Sequence, residues 1–481
     1  MIQRAYGLTT DLYELAMAAA YFENGITHHA VFDLFVRRLP EKRSYLIAGG
    51  LEQALDYLAT LRFTGEQVDY LRAHPSFENV SPEFFDYLAG FRFTGDVWAM
   101  PEGTAVFGME PLLRVNGPIM EAQIVETFLL STINFQTMIA SKAARVVTAA
   151  QGRSVIEFGT RRAHGTEAGL LAARAAYIGG CIGTSNVEAG HLFGIPTFGT
   201  LAHSFIMSFD REDDAFRAFL KAFPKTATVL VDTYDTITAV KRLARDFGPA
   251  VSAVRLDSGD LLELSKQVRQ ILDEAGMTET KIFASSDLNE NRIADLISRG
   301  ARIDSFGVGT ELATSYDSPA LSGVYKLAAI ERSGRATGTI KLSHDKATYP
   351  GAKQVWRFTD RAGKYAQDLI ALADEEVPST SSKELTDSAR PLLDRVMKQG
   401  RVLEDREREA EGTTLVESMR LTRDARFSRL NRARDRAAEE LKRLPDNLLA
   451  LDREPEYLVG FSERLKIERE RLERRIGRPP E

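Results

Sequence analysis

The chain has 481 residues, 44% of them hydrophobic and 27% charged, which is ordinary globular composition and enough for two or three domains with real cores. A net charge of −6 supplies no bulk positive field, which argues against nucleic acid or an anionic membrane surface as partner. The single cysteine, Cys181, excludes an intramolecular disulfide and a cysteine metal cluster and suits a reducing cytoplasm. The N-terminus has no apolar signal core, and no apolar run reaches the ~18 residues of a membrane span.

Thr9 or Thr10 can cap a helix beginning at Asp11, with Glu14 reaching back and Asn24-Gly25 closing it. Leu12, Leu15, Ala16, Ala19 and Phe22 form its apolar stripe. Tyr13 lies off the centre of that stripe, as a boundary residue or one facing another surface. The pair His28-His29 reads as a polar loop rather than a metal site. A strand over 30–39 ends at Arg37-Arg38, and a helix follows over 50–61. Residues 65–95 are helical and loop-like, and 96–118 read as short strands punctuated by proline and glycine. These elements predict an α+β domain over residues 1–120. Residues 120–150 read as a long, largely apolar helix that bridges to the next domain.

From 153 to 330 short apolar strands alternate with amphipathic helices. The strands are 154–158, the segment CIGTS, the segment PTFG, 228–231, 252–256, 281–285, 304–308 and 324–330. Such alternation indicates parallel β structure, and so many units predict a closed or nearly closed barrel over 121–330. Polar residues fall immediately after the strands. They include Glu157, Thr160, Arg161 and Arg162; Ser185 and Asn186; His203 and Ser204; Asp232, Thr233 and Asp235; Asp257, Ser258 and Asp260; Ser285, Ser286 and Asp287; and Gly309, Thr310 and Glu311. Taken singly, each is as well read as a helix cap. Together they converge on one mouth of a parallel barrel, where sites are built.

The segment PTFGTLAHSF breaks at Gly199 and delivers His203 and Ser204 just past a strand end. A reactive histidine needs an orienting group, and Asp232, at the next strand end, is the candidate. In FGVGTEL, Gly307 and Gly309 allow backbone amides to approach a phosphate, and Thr310 adds a hydroxyl. Arg161, Arg162 and Arg255 offer guanidinium forks that match phosphate oxygens. Asp257 and Asp260 suit a bridging Mg²⁺, ribose hydroxyls or a developing oxocarbenium ion. No H-E-x-x-H or paired-cysteine pattern supports a protein-caged transition metal. Chemistry alone reaches a phosphate-handling barrel enzyme.

Beyond 331 the rhythm is lost. Residues 337–360 read as loop and short strands. Residues 401–444 read as helix with a solvated, mixed-charge face, and the last residues as a frayed end. A C-terminal extension over 331–481, packing on the N-terminal domain and the barrel, is expected.

The stretches TDLYELAMAAAYFENG, FDLFVRRLP, EFGTRRAHG, GTSNVEAGHLFGIPTFGTLAHSF, VDTYDT, VRLDSGDL, SSDLNE, DSFGVGTEL and PGAKQVWR, in this order, resemble the nicotinate phosphoribosyltransferase family. PEYLVGFSERL is similar to that family's ending. The resemblance implies an α/β fold: an irregular α/β barrel of the type II phosphoribosyltransferase kind with an N-terminal α+β domain and a C-terminal helical and loop extension. It implies a homodimer with shared active sites. It also implies ATP-driven joining of nicotinate to phosphoribosyl pyrophosphate, the entry of nicotinate into NAD synthesis, with Mg²⁺ held through substrate phosphates.

By the same resemblance, His203 is the transiently phosphorylated residue, with Asp232 positioning it. Phe158 and, from the partner subunit, Tyr13 sandwich the pyridine ring. Arg255 meets the ring carboxylate or nearby phosphates, and Asp257 holds the ribose. Ser286, Gly307, Gly309 and Thr310 belong to phosphate binding, and Thr160, Arg161, Ser185, Gly199 and Ser204 to substrate contacts. The related nicotinamide enzyme carries an aspartate where this chain has Ser185. Serine can donate to a carboxylate that aspartate would repel, so nicotinate is the expected substrate. The alternatives are a nicotinamide- or quinolinate-type phosphoribosyltransferase, an aldolase using Lys326 as its Schiff-base lysine, or a non-catalytic scaffold built on the charged C-terminal helices.

Overall fold

In a computed structural model of the chain, residues 5–332, 334–342, 348–376, 385–403, 423–451 and 456–476 are described. The expected β/α alternation builds a six-stranded parallel sheet. Its order is Gly183–Thr184, Ser154–Glu157, Ser305–Val308, Lys281–Ala284, Ala253–Leu256, Thr228–Leu230. A parallel bridge from Thr184 to Thr197 extends it past the two-residue strand. A Cβ at residue 183 would fall 2.2 Å from the Pro196 carbonyl oxygen, so the chain closes here only because that residue is glycine. Among the described residues no pairing joins Thr197 to Thr228–Leu230, and the barrel is irregular.

Val229, Val254, Leu256, Ile282 and Phe306 are fully buried along the strands. Four of the helices between them start on side-chain caps. Asn186 accepts from the Ala189 amide (2.8 Å), Asp235 from Thr238 (2.7 Å), Asp260 from Leu262 (3.0 Å) and Asn289 from Arg292 (3.0 Å). Capping therefore accounts for Asp235 and Asp260, whereas Asp257-Ser258 and Ser286-Asp287, which also fit caps by sequence, are not the caps used.

The chain divides into two compact units. One comprises Met138–Pro319 and Leu421–Ala438, and contains the parallel sheet. The other comprises Met1–Thr137, Ala320–Arg420 and Glu439–Glu481. This differs from the three-part expectation of 1–120, 121–330 and 331–481. The first boundary falls inside the helix Glu126–Ala149, which a preceding helix, Ile119–Ile124, adjoins at Val125. The 324–330 segment, read as the last barrel strand, is part of Gly323–Arg332 and pairs antiparallel with His29–Val36 in the N-terminal unit. Its apolar alternation marks a strand, but alternation does not say which sheet it joins. Lys326 there sits opposite Asp33 in an antiparallel pairing and is not on a barrel strand, so the aldolase alternative loses its strand-end lysine.

The N-terminal unit holds a seven-stranded sheet containing His29–Val36, Pro111–Pro118, Asp96–Ala99 and Gly323–Arg332, and a four-stranded sheet containing Lys353–Asp360 and Tyr365–Leu372. The fully buried Arg357 pairs with Asp368, its register partner on the adjacent strand of the second sheet (2.6 Å), and with Glu440 (2.8 Å), with Glu110 at 3.9 Å. Burial and the neighbouring Asp368 push the Glu110 carboxyl well above the usual range, although Arg357 opposes this. In the first helix, Leu12–Glu23, the N-cap is Asp11, and Thr10 donates instead to the Glu14 carboxylate. The C-terminal charge-rich stretch forms a helix over Arg423–Arg443 with Leu430, Ala433, Ala437 and Glu440 on its buried side. The rest of that expected helical segment before residue 423, and the expected frayed end after 476, lie mostly outside the described residues. No described helix is long and apolar enough to cross a membrane.

Candidate active site

The parallel strands end on a common edge, and the site is assembled there. Arg255 and Phe283 are register partners on adjacent strands, so both side chains leave the same face of the sheet. The Arg255 guanidinium is fixed by three hydrogen bonds of 2.8 Å each: from Nε to Ser285 Oγ, and from its terminal nitrogens to Thr200 Oγ1 and Asp257 Oδ1. Ser285 Oγ also donates to Asp257 Oδ1. Three of the fork's five N–H donors are thereby engaged and two are left for a ligand. Its carbon lies 6.0 Å from the centroid of the Phe158 ring, which in turn tilts against Phe283 at 5.5 Å.

His203 opens the short helix His203–Met207. Its Nδ1 lies 3.1 Å from Thr233 Oγ1, and its Nε2 faces Asp257 Oδ2 at 3.9 Å. The expected partner, Asp232, is turned elsewhere: its Oδ2 accepts from the Asp257 amide (3.0 Å) and from Ser258 Oγ (2.6 Å), while its buried Oδ1 has no hydrogen-bond partner among the described residues. Asp232 thus holds the 257–258 turn, and Thr233 holds the imidazole. Thr233 and Thr200 had no assigned role from sequence. Thr233 was marked only as one polar residue among those after the strands, and Thr200 follows the PTFG segment, the one signal that could have marked it.

Glu157, fully buried at the end of Ser154–Glu157, accepts from the Gly159 amide and from Thr184 Oγ1 (2.5 Å). Burial pushes its carboxyl above the usual range against those two hydrogen bonds. Thr184 Oγ1 accepts from the Asn186 amide (2.9 Å), and the Asn186 side-chain amide donates to Thr160 Oγ1 (3.1 Å). This run fixes the turns that carry Phe158, Thr160 and Ser185. Arg161 and Ser185 are exposed on those turns, as are Gly199 and Ser204 on theirs.

The strand Ser305–Val308 supplies Gly307. A Cβ there would lie 2.6 Å from Phe283 Cζ and 2.9 Å from Phe158 Cδ2, so this glycine makes room for the two rings. Gly309 and Thr310 follow on the same strand end. On the neighbouring strand end Ser286 has φ 104° and Asp287 φ 37°, left-handed backbone that non-glycine residues hold only when their surroundings enforce it. An unbroken run of contacts therefore links His203, Asp257, Ser285, Arg255, Phe158 and Gly307. Tyr13 belongs to the other unit, where it is 49% exposed on the helix Leu12–Glu23; burial and the carboxylates of Glu126 and Glu14 raise its phenol pKa.

An irregular parallel barrel with its site on the strand C-terminal edge, in a chain that also carries an antiparallel-sheet unit, is the type II phosphoribosyltransferase fold. Family models for the nicotinate phosphoribosyltransferase N-terminal domain, family core and C-terminal domain match residues 8–134, 154–354 and 352–467. The chain is 45% identical over 478 residues to a Mycobacterium tuberculosis protein named nicotinate phosphoribosyltransferase, covering 98% of this chain and 94% of that one. It is 46% identical over 380 residues to a Bacillus subtilis protein of the same name, covering 77% of each. The crystal structure of human nicotinic acid phosphoribosyltransferase superposes with a TM-score of 0.81 at 28% identity, over 96% of this chain and 99% of that one. The chain belongs to the nicotinate phosphoribosyltransferase family.

Proposed function

We propose that the chain transfers the phosphoribosyl group of phosphoribosyl pyrophosphate to nicotinate. The products are nicotinate mononucleotide and pyrophosphate, and ATP hydrolysis is coupled through a phosphate carried on His203. The observation that best supports this is the run of contacts from His203 through Asp257 and Arg255 to Phe158. It puts a nucleophilic nitrogen, a carboxylate, a free part of a guanidinium fork and an aromatic face on one edge.

The C1–pyrophosphate bond breaks with oxocarbenium character, so the protein's work is positioning and charge stabilisation. Asp257 holds the ribose, and Arg255 receives the ring carboxylate with its two unused donors. Phe158 gives the pyridine ring a flat apolar face. Ser286, Gly309 and Thr310 receive the 5′-phosphate, with Gly307 seating the ring below. In the tautomer whose Nδ1–H donates to Thr233, Nε2 carries the lone pair. It attacks the γ-phosphorus of ATP and releases ADP, and water later takes the phosphoryl group as phosphate.

Among the described residues no three His, Cys, Asp or Glu side chains gather as a metal cage. The unpartnered Oδ1 of Asp232, with Asp257 beside it, suits an oxygen-seeking cation that keeps most of its ligands as water and phosphate. Mg²⁺ bound there with the substrate would neutralise the leaving pyrophosphate. The working form is a cytoplasmic homodimer in which Tyr13 serves the partner's site. Its exposure and the lone buried Cys181 are consistent with this.

The test is incubation with γ-labelled ATP, comparing the chain with His203→Ala. An acid-labile label on the chain that is absent from the variant is expected. Equal labelling of both would reject His203 as the carrier.

A further inference from the structure

A buried charge cluster in the barrel unit has no part in the steps above. Lys142, 1% exposed, places Nζ 2.7 Å from Glu290 Oε2, 2.8 Å from Asp317 Oδ1 and 3.9 Å from Glu311 Oε2. Arg145 Nε lies 3.2 Å from Glu290 Oε1. Glu290 closes the loop that carries Ser286, Glu311 lies in the short helix Thr310–Ala313 that follows Gly309, and Asp317 lies in the turn beyond it. One ammonium thus grips acids from both phosphate-side segments.

Three features suit this group to setting geometry. An ammonium radiates three donors and can serve several carboxylates at once, which a planar fork cannot do in the same directions. Both segments contain left-handed non-glycine backbone, at Ser286 (φ 104°), Asp287 (φ 37°) and Ser315 (φ 44°), which relaxes unless its surroundings hold it. The acids are held unequally: Glu290 and Asp317 are closely paired, and Glu311, next to Thr310, is the looser partner. A shift of Lys142 would therefore be felt first at the 309–311 turn.

We infer that Lys142 is a positioning residue that sets the separation of the 285–290 and 309–317 segments, and so the fit of the phosphoribosyl substrate's phosphate. The inference rests on the function proposed above. It never requires Lys142 to touch substrate.

Initial rates with varied phosphoribosyl pyrophosphate and varied nicotinate, on the full chain, test it. PRPP-dependent formation of nicotinate mononucleotide by the unaltered chain establishes the proposed function separately; its absence would reject that reading rather than this one. Lys142→Met is expected to raise KM for phosphoribosyl pyrophosphate about tenfold to a hundredfold, the scale of a sub-ångström to 1 Å misplacement, and to leave KM for nicotinate within about twofold. Lys142→Arg should recover part of the loss, because it restores the charge. Where Lys142→Met does not yield a cooperative thermal transition, Glu311→Gln is the test variant, with the same selective rise expected. A folded variant with both KM values raised equally, or with neither changed, would overturn the inference.

Discussion

Alanine at position 307 perturbs the site at its most closely packed point. The new Cβ would lie 2.6 Å from Phe283 Cζ and 2.9 Å and 3.1 Å from two carbons of Phe158. Carbon atoms rest at ~3.5–4.0 Å, so one ring must withdraw by about 1 Å. Phe283 is 5% exposed within the core, whereas Phe158 is half-buried at the edge, so Phe158 moves. Overpacking of this size costs about 1–3 kcal/mol of stability. A 1 Å misplacement of a positioning group costs up to about a hundredfold in rate. Since Phe158 is the proposed platform for the pyridine ring, the loss should fall on nicotinate. In steady-state rates at saturating phosphoribosyl pyrophosphate, Gly307→Ala should raise KM for nicotinate by about ten- to a hundredfold while remaining folded. Gly309→Ala is the contrast: its Cβ meets nothing closer than 3.4 Å, an ordinary contact, so the nicotinate KM should hardly move. A folded Gly307→Ala with an unchanged nicotinate KM would refute the placement of the ring on Phe158.

Arg357→Met leaves the buried Asp368 without its cation and Glu440 with Arg390 alone, and should lower the unfolding free energy by about 3–5 kcal/mol in a denaturant titration. Burial raises the Glu14 carboxyl from 4.5 to about 7, opposed by hydrogen bonds from Thr10 and Thr127 and aided by Glu126 and Asp11. A raised folded pKa makes its contribution full below about pH 4.5 and lost as pH rises to about 7, a loss of up to about 3 kcal/mol. Glu14→Gln should remove that slope. The readout is the difference between the two stability-versus-pH curves, because Glu212 is also raised to about 7. A difference that stays constant across this window would contradict the shift. Ser185→Asp should shift preference from nicotinate toward nicotinamide in competition assays, and an unchanged ratio would count against Ser185 as the selector.

The barrel was legible because strand and helix periods alternate cleanly between 154 and 308, and because polar residues follow each strand. Arg255, Asp257 and His203 were found that way, Phe158 only through the family resemblance, and the four do meet. What escaped was choice among near-equivalent partners. Asp232 and Thr233 are adjacent and both polar, and only the backbone direction after Thr228–Leu230 decides that the hydroxyl reaches His203 while the carboxylate turns to Ser258. Gly307 reads as a phosphate glycine by motif, yet two aromatic rings from other strands require it. The 324–330 strand carries the right pattern for the wrong sheet, since its pairing with His29–Val36 spans almost 300 residues and leaves no local trace.

The pocket itself is tested most directly by a crystal structure with nicotinate mononucleotide bound. Its pyridine ring is expected on Phe158 with the carboxylate at Arg255, its ribose at Asp257, and its phosphate at Gly309 and Thr310. A nucleotide seated away from the strand C-terminal edge, or with its phosphate at Arg255 and its ring at Thr310, would contradict the assignment.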